Sequence, residues 1–360
     1  MNKIVYDDII TFHPGYYLKE LIDAKSMTQE ELAKRLQIST KYMSELINGK
    51  CNLTDEMVLK LSNVFGTSTT MWLNLNKTYI EKKIEIDRRK QRDYECDIAK
   101  KMDYNFWVDL DLVKPTKNIE DKVKILQNYF KVASLGVLKE KDFLVQFGKK
   151  NKDTKDINII NTNAWVQTAI NIGIETNVST FNKNKLKSKL SEMRSMTVME
   201  PYDFVPRLKS IFSECGIAFI LLPNLKNCSI NGVVKWIGKE KVILALNDRS
   251  EYEYSFWFML FHEIGHVMQQ RIKMLIINSE SKLSEDSELI NRLEKQADDF
   301  SKNILIPQEE YYDFIQHKDY KDKDILIEFA NKINLHPGII VGRLQKEHLL
   351  SYDNKLNELK

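Results

Sequence analysis

The amino-acid sequence predicts a multidomain, mostly α-helical chain that ends in an α+β unit with a small mixed sheet. Three observations carry this. Residues 13–86 form a run of short helices punctuated by capping residues and by Gly66. Residues 96–200 stay helical and Lys-rich. From Pro201 onward, apolar runs of strand length lead into SFWFMLFHEIGHVM, which is apolar on nearly every side, as a fully buried helix is. With 360 residues, 43% hydrophobic and 29% charged, the chain has ordinary globular composition and room for two or three domains. The boundaries read as 1–90, 91–200 and 201–360.

In the first segment, HPGYYLKELIDAKS starts a helix near Pro14. TQEELAKRL follows, with Thr28 and Glu31 in the spacing of a capping box. After the break QIS, a helix from about Thr40 to Ile47 is capped by Ser39. TDEMVLKLSNVFG ends at Gly66, and TSTTMWLNLNKTYIEKKIEI makes a fifth, longer helix. Two short helices joined by a tight turn, with small Ala33 facing its neighbour, are a helix-turn-helix signature. In such folds the second helix enters the major groove of double-stranded DNA. Its outward residues are Thr40, Lys41, Ser44 and Glu45, with Ser39 at its start and Tyr42 at the margin. Gln29, Asn48 and Lys50 stand where phosphates would be held. Residues 1–90 carry 14 Lys and Arg against 12 Asp and Glu, so the pattern rather than bulk charge points to an operator.

Residues 81–95 read as a charged helical extension and linker. The middle region shows amphipathic helices in KPTKNIEDKVKILQNYFKV and NTNAWVQTAINIGI, a polar loop at 149–158, and no cluster that bears chemistry. In the last segment YDFVPRLKSIFSECG is a helix ending at Gly216. IAFILLP, GVVKWIG and KVILALN are strands, the last two joined through a GKE turn. VILALN is the expected edge strand, open to an extended peptide by β-augmentation. DILIEFANKINLHPGIIVGRLQKEHLL reads as a second helix-turn-helix-like unit, with His336 a structural residue of its turn.

The chemistry concentrates in FHEIGHVMQQ. His262 and His266 are four apart, on one face of a helix, with Glu263 beside the first. Zinc takes imidazole nitrogen readily, and a Glu in that position can act as general base toward a water on the metal. Burying two histidines and a carboxylate in so apolar a helix is costly without partners, and a metal supplies them. The other histidines are His13, His317, His336 and His348. A better third ligand comes from SELINRLEKQADDFSKNILIP, a helix stopped at Pro307 on which Glu294 and Asp298 lie four apart. Glu294 completes a His, His, Glu set with an open fourth position. Asp298 is placed to accept the second ring N–H of a ligand histidine.

Those same residues carry a resemblance. FWFMLFHEIGHVM followed by EKQADDFSKNILIP is similar to the ImmA/IrrE family of zinc metallo-endopeptidases. The likeness extends upstream through SINGVVKWIGKEKVILALNDRS and downstream through INLHPGIIVGRLQ. It implies a zincin-like α+β domain, zinc on His262, His266 and Glu294, Glu263 as the base, and a protein substrate such as a repressor or a toxin–antitoxin component. One departure is Gln296, where many relatives carry an acidic residue. HPGYYLKELIDAKSMTQEELAKRLQISTKYMSELINGK resembles the XRE-type helix-turn-helix, and GTSTTMWLNLNKTY narrows the likeness to HigA-type antitoxins. That implies a homodimeric operator binder. The expected function is therefore a DNA-binding regulator carrying a zinc endopeptidase. The alternative is a HigA-like antitoxin and autorepressor that neutralises a toxin, its zinc site structural or vestigial.

Cysteine usage fits a reducing cytoplasm, since Cys51, Cys96, Cys215 and Cys228 show no CxxC spacing and no disulfide-framework density. The first fifteen residues lack a signal-peptide core, and no 18-residue apolar run suggests a membrane span.

Overall fold

A computed structural model describes residues 2–141, 143–144, 155–228, 230–248, 253–270, 275–279, 288–317 and 319–359. The chain divides into two compact units, Met1–Asp97 and Ile98–Lys360. The class is as expected: mostly helical, in more than one unit, with small sheets and an N-terminal helix-turn-helix.

The first unit opens with a hairpin that the sequence pattern does not announce. Strands β1 (Lys3–Tyr6) and β2 (Ile9–Phe12) pair antiparallel around Asp7, which has φ 48°. Four-residue strands give too short an alternation to register as a pattern. The Tyr6 hydroxyl donates to Asp93 at 2.6 Å, and Arg89 pairs with Asp8, tying the hairpin to the long helix below. Then come α1 (Pro14–Ala24), α2 (Gln29–Arg35), α3 (Thr40–Ile47), α4 (Asp55–Phe65) and α5 (Thr69–Lys101). The caps fall where the sequence puts them. Thr28, Ser39 and Thr54 each accept from the backbone N–H three residues on, and Gly66 ends α4 in the left-handed region. The fifth helix and the charged extension prove to be one 33-residue helix. Leu18, Leu32, Ala33, Leu36, Met43, Leu46, Leu61 and Trp72 form the core.

The second unit holds α6 (Asn105–Asp109), α7 (Ile119–Phe130), α8 (Asp156–Glu175), α9 (Lys183–Ser195) and α10 (Pro201–Glu214). The expected loop at 149–158 is helical from Asp156 on, and its residues 149–154 lie outside the described ones. Strands β3 (Ile217–Pro223), β4 (Ile230–Ile237), β5 (Lys241–Asp248) and β6 (Leu275–Ser279) make one mixed sheet in the order β3-β5-β4-β6. Strand β5 is parallel to β3 and antiparallel to β4, with Gly238 at positive φ in the turn between β4 and β5. This corrects the edge assignment of VILALN: it is an interior strand with a partner on each side. Its unbroken apolar run is the mark of a strand covered on both faces. Helix α8 packs on one face, so tightly that a methyl on Gly173 would lie 2.7 Å from the Ile243 side chain. Helix α11 (Glu253–Gln269) packs on the other, where Val242, Leu244 and Leu246 meet Trp257, Leu260, Phe261 and Ile264. Strand β6 is a further element that the sequence pattern does not announce.

Helices α12 (Glu288–Leu305), α13 (Gln308–Gln316), α14 (Lys323–Lys332) and α15 (Pro337–Lys346) complete the unit. Two arginines close the C-terminal end of α12: Arg194 donates to the Leu305 carbonyl at 2.9 Å and Arg343 to that of Ile306 at 3.0 Å. His336 caps α15 by accepting from the Gly338 N–H.

Candidate metal centre and helix-turn-helix face

Helix α11 is held by apolar burial. Trp257, Leu260, Phe261, Ile264 and Val267 are fully buried, and each contributes roughly 1.5–3 kcal/mol relative to exposure. The same helix carries His262, Glu263 and His266, all buried. Helix α12 lies against it and brings Glu294 to the two imidazoles. Glu294 oxygens stand 3.3 Å from His262 Nε2 and 3.3 Å from His266 Nε2, and the two Nε2 atoms are 2.9 Å apart.

A tetrahedral ion with bonds of ~2.0–2.2 Å sets its donors ~3.3–3.6 Å apart, so the two His–Glu294 separations have the spacing zinc requires, while the two Nε2 atoms stand closer together than that. The far ring nitrogens are held as well. His262 Nδ1 lies 2.9 Å from Asp298 Oδ1, so of the two ligand histidines it is His262 that Asp298 holds. His266 Nδ1 lies 3.0 Å from Gln269 Oε1, and the Gln269 amide donates to the Leu293 carbonyl at 2.7 Å. Both Nε2 atoms are thereby turned to one point. The donor set fits zinc: two imidazoles, each with its far ring nitrogen held, and one carboxylate. Sequence reasoning missed Gln269, although its place one turn beyond His266 was a usable signal.

The electrostatics of the cluster follow from this geometry. Burial opposes a charge on His262, yet the bonds from Asp298 and Glu294 and the nearby Glu263 charge push it up to about 9. Burial would raise Glu294, but its contacts with both histidines bring it down to about 2. A proton therefore stands where a cation fits. The Glu294 side chain is 35% exposed and His266 not at all, so the centre opens on its carboxylate side.

Glu263 lies at the base of the centre against β4. A Cβ on Gly232 would come within 2.5 Å of its Oε1, so the missing side chain at 232 makes room for the carboxylate. No pattern in the sequence links the two positions.

In the first unit α3 spans the expected Thr40–Ile47. Thr40 and Lys41 are exposed, as are Gln29, Asn48 and Lys50, while Ser44 and Glu45 are half-buried. Ser39 is engaged as the helix cap, accepting from the Tyr42 N–H at 3.1 Å. The Asn48 amide donates to the Ser44 carbonyl at 2.8 Å and closes the other end. Tyr42 packs on the core of the unit.

Residues 18–72 match the sequence family described as helix-turn-helix. An HTH-type transcriptional regulator of Escherichia coli strain K12, YddM, is 35% identical over 82 residues, which are 22% of this chain and 87% of that protein. The chain belongs to the helix-turn-helix regulators. Virulence-associated protein A' of Dichelobacter nodosus is 37% identical over 68 residues, 19% of this regulator and 59% of that protein. Among solved structures, an addiction module antidote protein of the HigA family from Coxiella burnetii is 34% identical. It covers 23% of the regulator and 92% of its own chain, with a TM-score of 0.21. These relatives match the helix-turn-helix region, so the candidate metal centre rests on its own geometry alone.

Among the described residues no helix is long and apolar enough to cross a membrane.

Proposed function

We propose that the regulator couples operator binding by its first unit to zinc-dependent endopeptidase chemistry in its second. The observation that carries the proposal is the convergence of His262, His266 and Glu294, with Nδ1 of each histidine held by a fixed oxygen. These three residues would hold a zinc ion, which would supply Lewis acidity toward a carbonyl and toward water. Glu263 accepts the proton of the attacking water on a carboxylate oxygen and returns it to the leaving amine. Asp298 and Gln269 keep the two imidazoles in one tautomer and orientation through the cycle. The half-buried Glu294 carboxylate lies on the open side of the centre, the side from which a peptide would enter. The likeness of the HExxH helix and of α12 to ImmA/IrrE peptidases supports a regulatory protein as substrate.

In the first unit Thr40, Lys41, Ser44 and Glu45 present the face of α3 that reads bases, while Gln29, Asn48 and Lys50 fix the register on phosphates. The resemblance to HigA-type antitoxins supports a homodimer on an inverted repeat.

Co-expression with the products of neighbouring genes tests the whole reading. Zinc-dependent cleavage of one of them by the wild type, and not by Glu263→Gln, is the expected result. Neutralisation of a toxin without cleavage, equal for the two forms, assigns the chain an antitoxin role instead.

A further inference from the structure

Strand β4 is irregular where it passes Glu263. Ile230 pairs with Ser279 of β6 and Gly232 with Asn278, so Asn231 is one residue too many. On the other side the ladder to β5 starts only at Gly232, opposite Leu246. The Ile230 carbonyl takes its hydrogen bond from a side chain instead: Asn247 Nδ2 donates to it at 2.8 Å and to Asn224 Oδ1 at 3.2 Å. Asn247 is 2% exposed, a polar group buried at the end of an otherwise apolar strand. A bulge of this kind bends its strand and re-aims the residue beside it.

The residue re-aimed here is Gly232. Its φ is not positive, so the backbone there has no need of glycine. The need comes from the neighbour. An added methyl would stand 2.5 Å from Glu263 Oε1, 2.8 Å from Cδ and 3.0 Å from Cγ, and Glu263 is fully buried, with no solvent side into which its carboxylate could withdraw.

We propose that Gly232, placed by the bulge that Asn247 holds, is the positioning residue for Glu263. The inference rests on the reading of Glu263 as general base. In it β4 acts as a stop for the carboxylate, and the stop works only while position 232 has no side chain.

The test is a stability cycle on the full chain loaded with zinc: wild type, Gly232→Ala, Glu263→Ala and the double variant. Overpacking by one methyl lowers Tm by roughly 2–8 °C where Glu263 is present. The loss disappears where Glu263→Ala has cleared the space, and every form keeps its zinc. Equal shifts in the two backgrounds, including none in either, overturn the proposal. If Gly232→Ala does not fold, a soluble double variant supports it and an insoluble one overturns it. None of these readouts needs a substrate, so they decide the question even if the chain proves not to be a peptidase. Where cleavage is measured, Gly232→Ala lowers kcat with KM unchanged. Asn247→Asp, which keeps the size but removes the N–H donor, does the same. Wild-type kcat in Asn247→Asp overturns the role given to the bulge.

Discussion

Gly265 of α11 faces Ala297 of α12 so closely that a methyl at 265 would lie 3.0 Å from the Ala297 Cα and 3.2 Å from its Cβ. Small residues let the two helix backbones approach, and the approach sets the reach of the side chains beside the contact. Glu294 and Asp298 lie one turn before and one residue after Ala297, and both end within 3.3 Å of an imidazole nitrogen. Ala297→Leu forces the helices apart. Because disturbing the groups that support metal ligands typically costs about 10–100-fold in metal affinity, zinc affinity should fall by at least about 10-fold. Overpacking should also cost about 1–3 kcal/mol of stability. A competition titration with a chromophoric chelator measures the first; unchanged affinity contradicts this role for the pair.

The residues that hold zinc should separate from those that aim them. His266→Ala and Glu294→Ala each remove a donor and should leave no zinc after dialysis. Asp298→Asn and Gln269→Ala leave all three donors in place, and should weaken binding by about 10–100-fold without abolishing it. Metal analysis of the four variants checks this. Full zinc content in both His266→Ala and Glu294→Ala rules the centre out.

Proton release should accompany zinc binding. His262, raised to about 9 by Asp298 and Glu294 against the effect of burial, is protonated at neutral pH in the metal-free protein. Zinc needs the neutral ring, so it must displace that proton. Apparent affinity should therefore rise about tenfold per pH unit up to about 9 and level off above it. Calorimetry at pH 7 in two buffers of different ionisation enthalpy should report about one proton released per zinc. Asp298→Asn, which removes a bond favouring the charged ring, should move the plateau to lower pH.

What was legible in the sequence follows from how each signal is encoded. Local chemistry could be read directly: Thr28, Ser39 and Gly66 bound their helices as placed, because caps act within one turn. The pairing of His262 and His266, and of Glu294 and Asp298, was legible because each pair lies on one helix at i, i+4. Strand order was not. VILALN reads as a strand, but whether a strand is edge or interior depends on partners distant in sequence, here β3 in parallel. Close approaches that depend on a missing side chain were hidden as well. The space left by Gly232 and the helix approach at Gly265 are visible only once their neighbours, Glu263 and Ala297, are in place. The short hairpin at Lys3–Phe12 was hidden by its length.

The helix-turn-helix face makes its own prediction. Thr40→Ala and Lys41→Ala remove exposed groups from the start of α3, the part of a recognition helix from which, on the proposed reading, base edges are reached. Removing one base-edge hydrogen bond should cost about 1–3 kcal/mol and relax sequence choice, whereas Lys50→Ala should weaken all sequences alike and lower the salt slope by about one. Ser39→Ala should act differently. It removes a helix cap and costs about 0.5–2 kcal/mol of stability. Operator titrations at two salt concentrations, with melting curves, distinguish the three classes. No preference of wild type for its own promoter over random DNA contradicts the assignment.

The most direct measurement compares wild type with Glu263→Gln in cleavage of the protein partner, with zinc content determined on the same samples. Gln keeps the size of Glu, fits the space beside Gly232 and leaves His262, His266 and Glu294 untouched, so zinc should stay at one per chain. It cannot accept a proton, and loss of a general base costs about 10²–10⁴ in rate. Operator binding, which belongs to the other unit, should be unchanged. Equal zinc with cleavage reduced by that factor is the predicted result. Cleavage by Glu263→Gln as fast as by wild type would contradict the account.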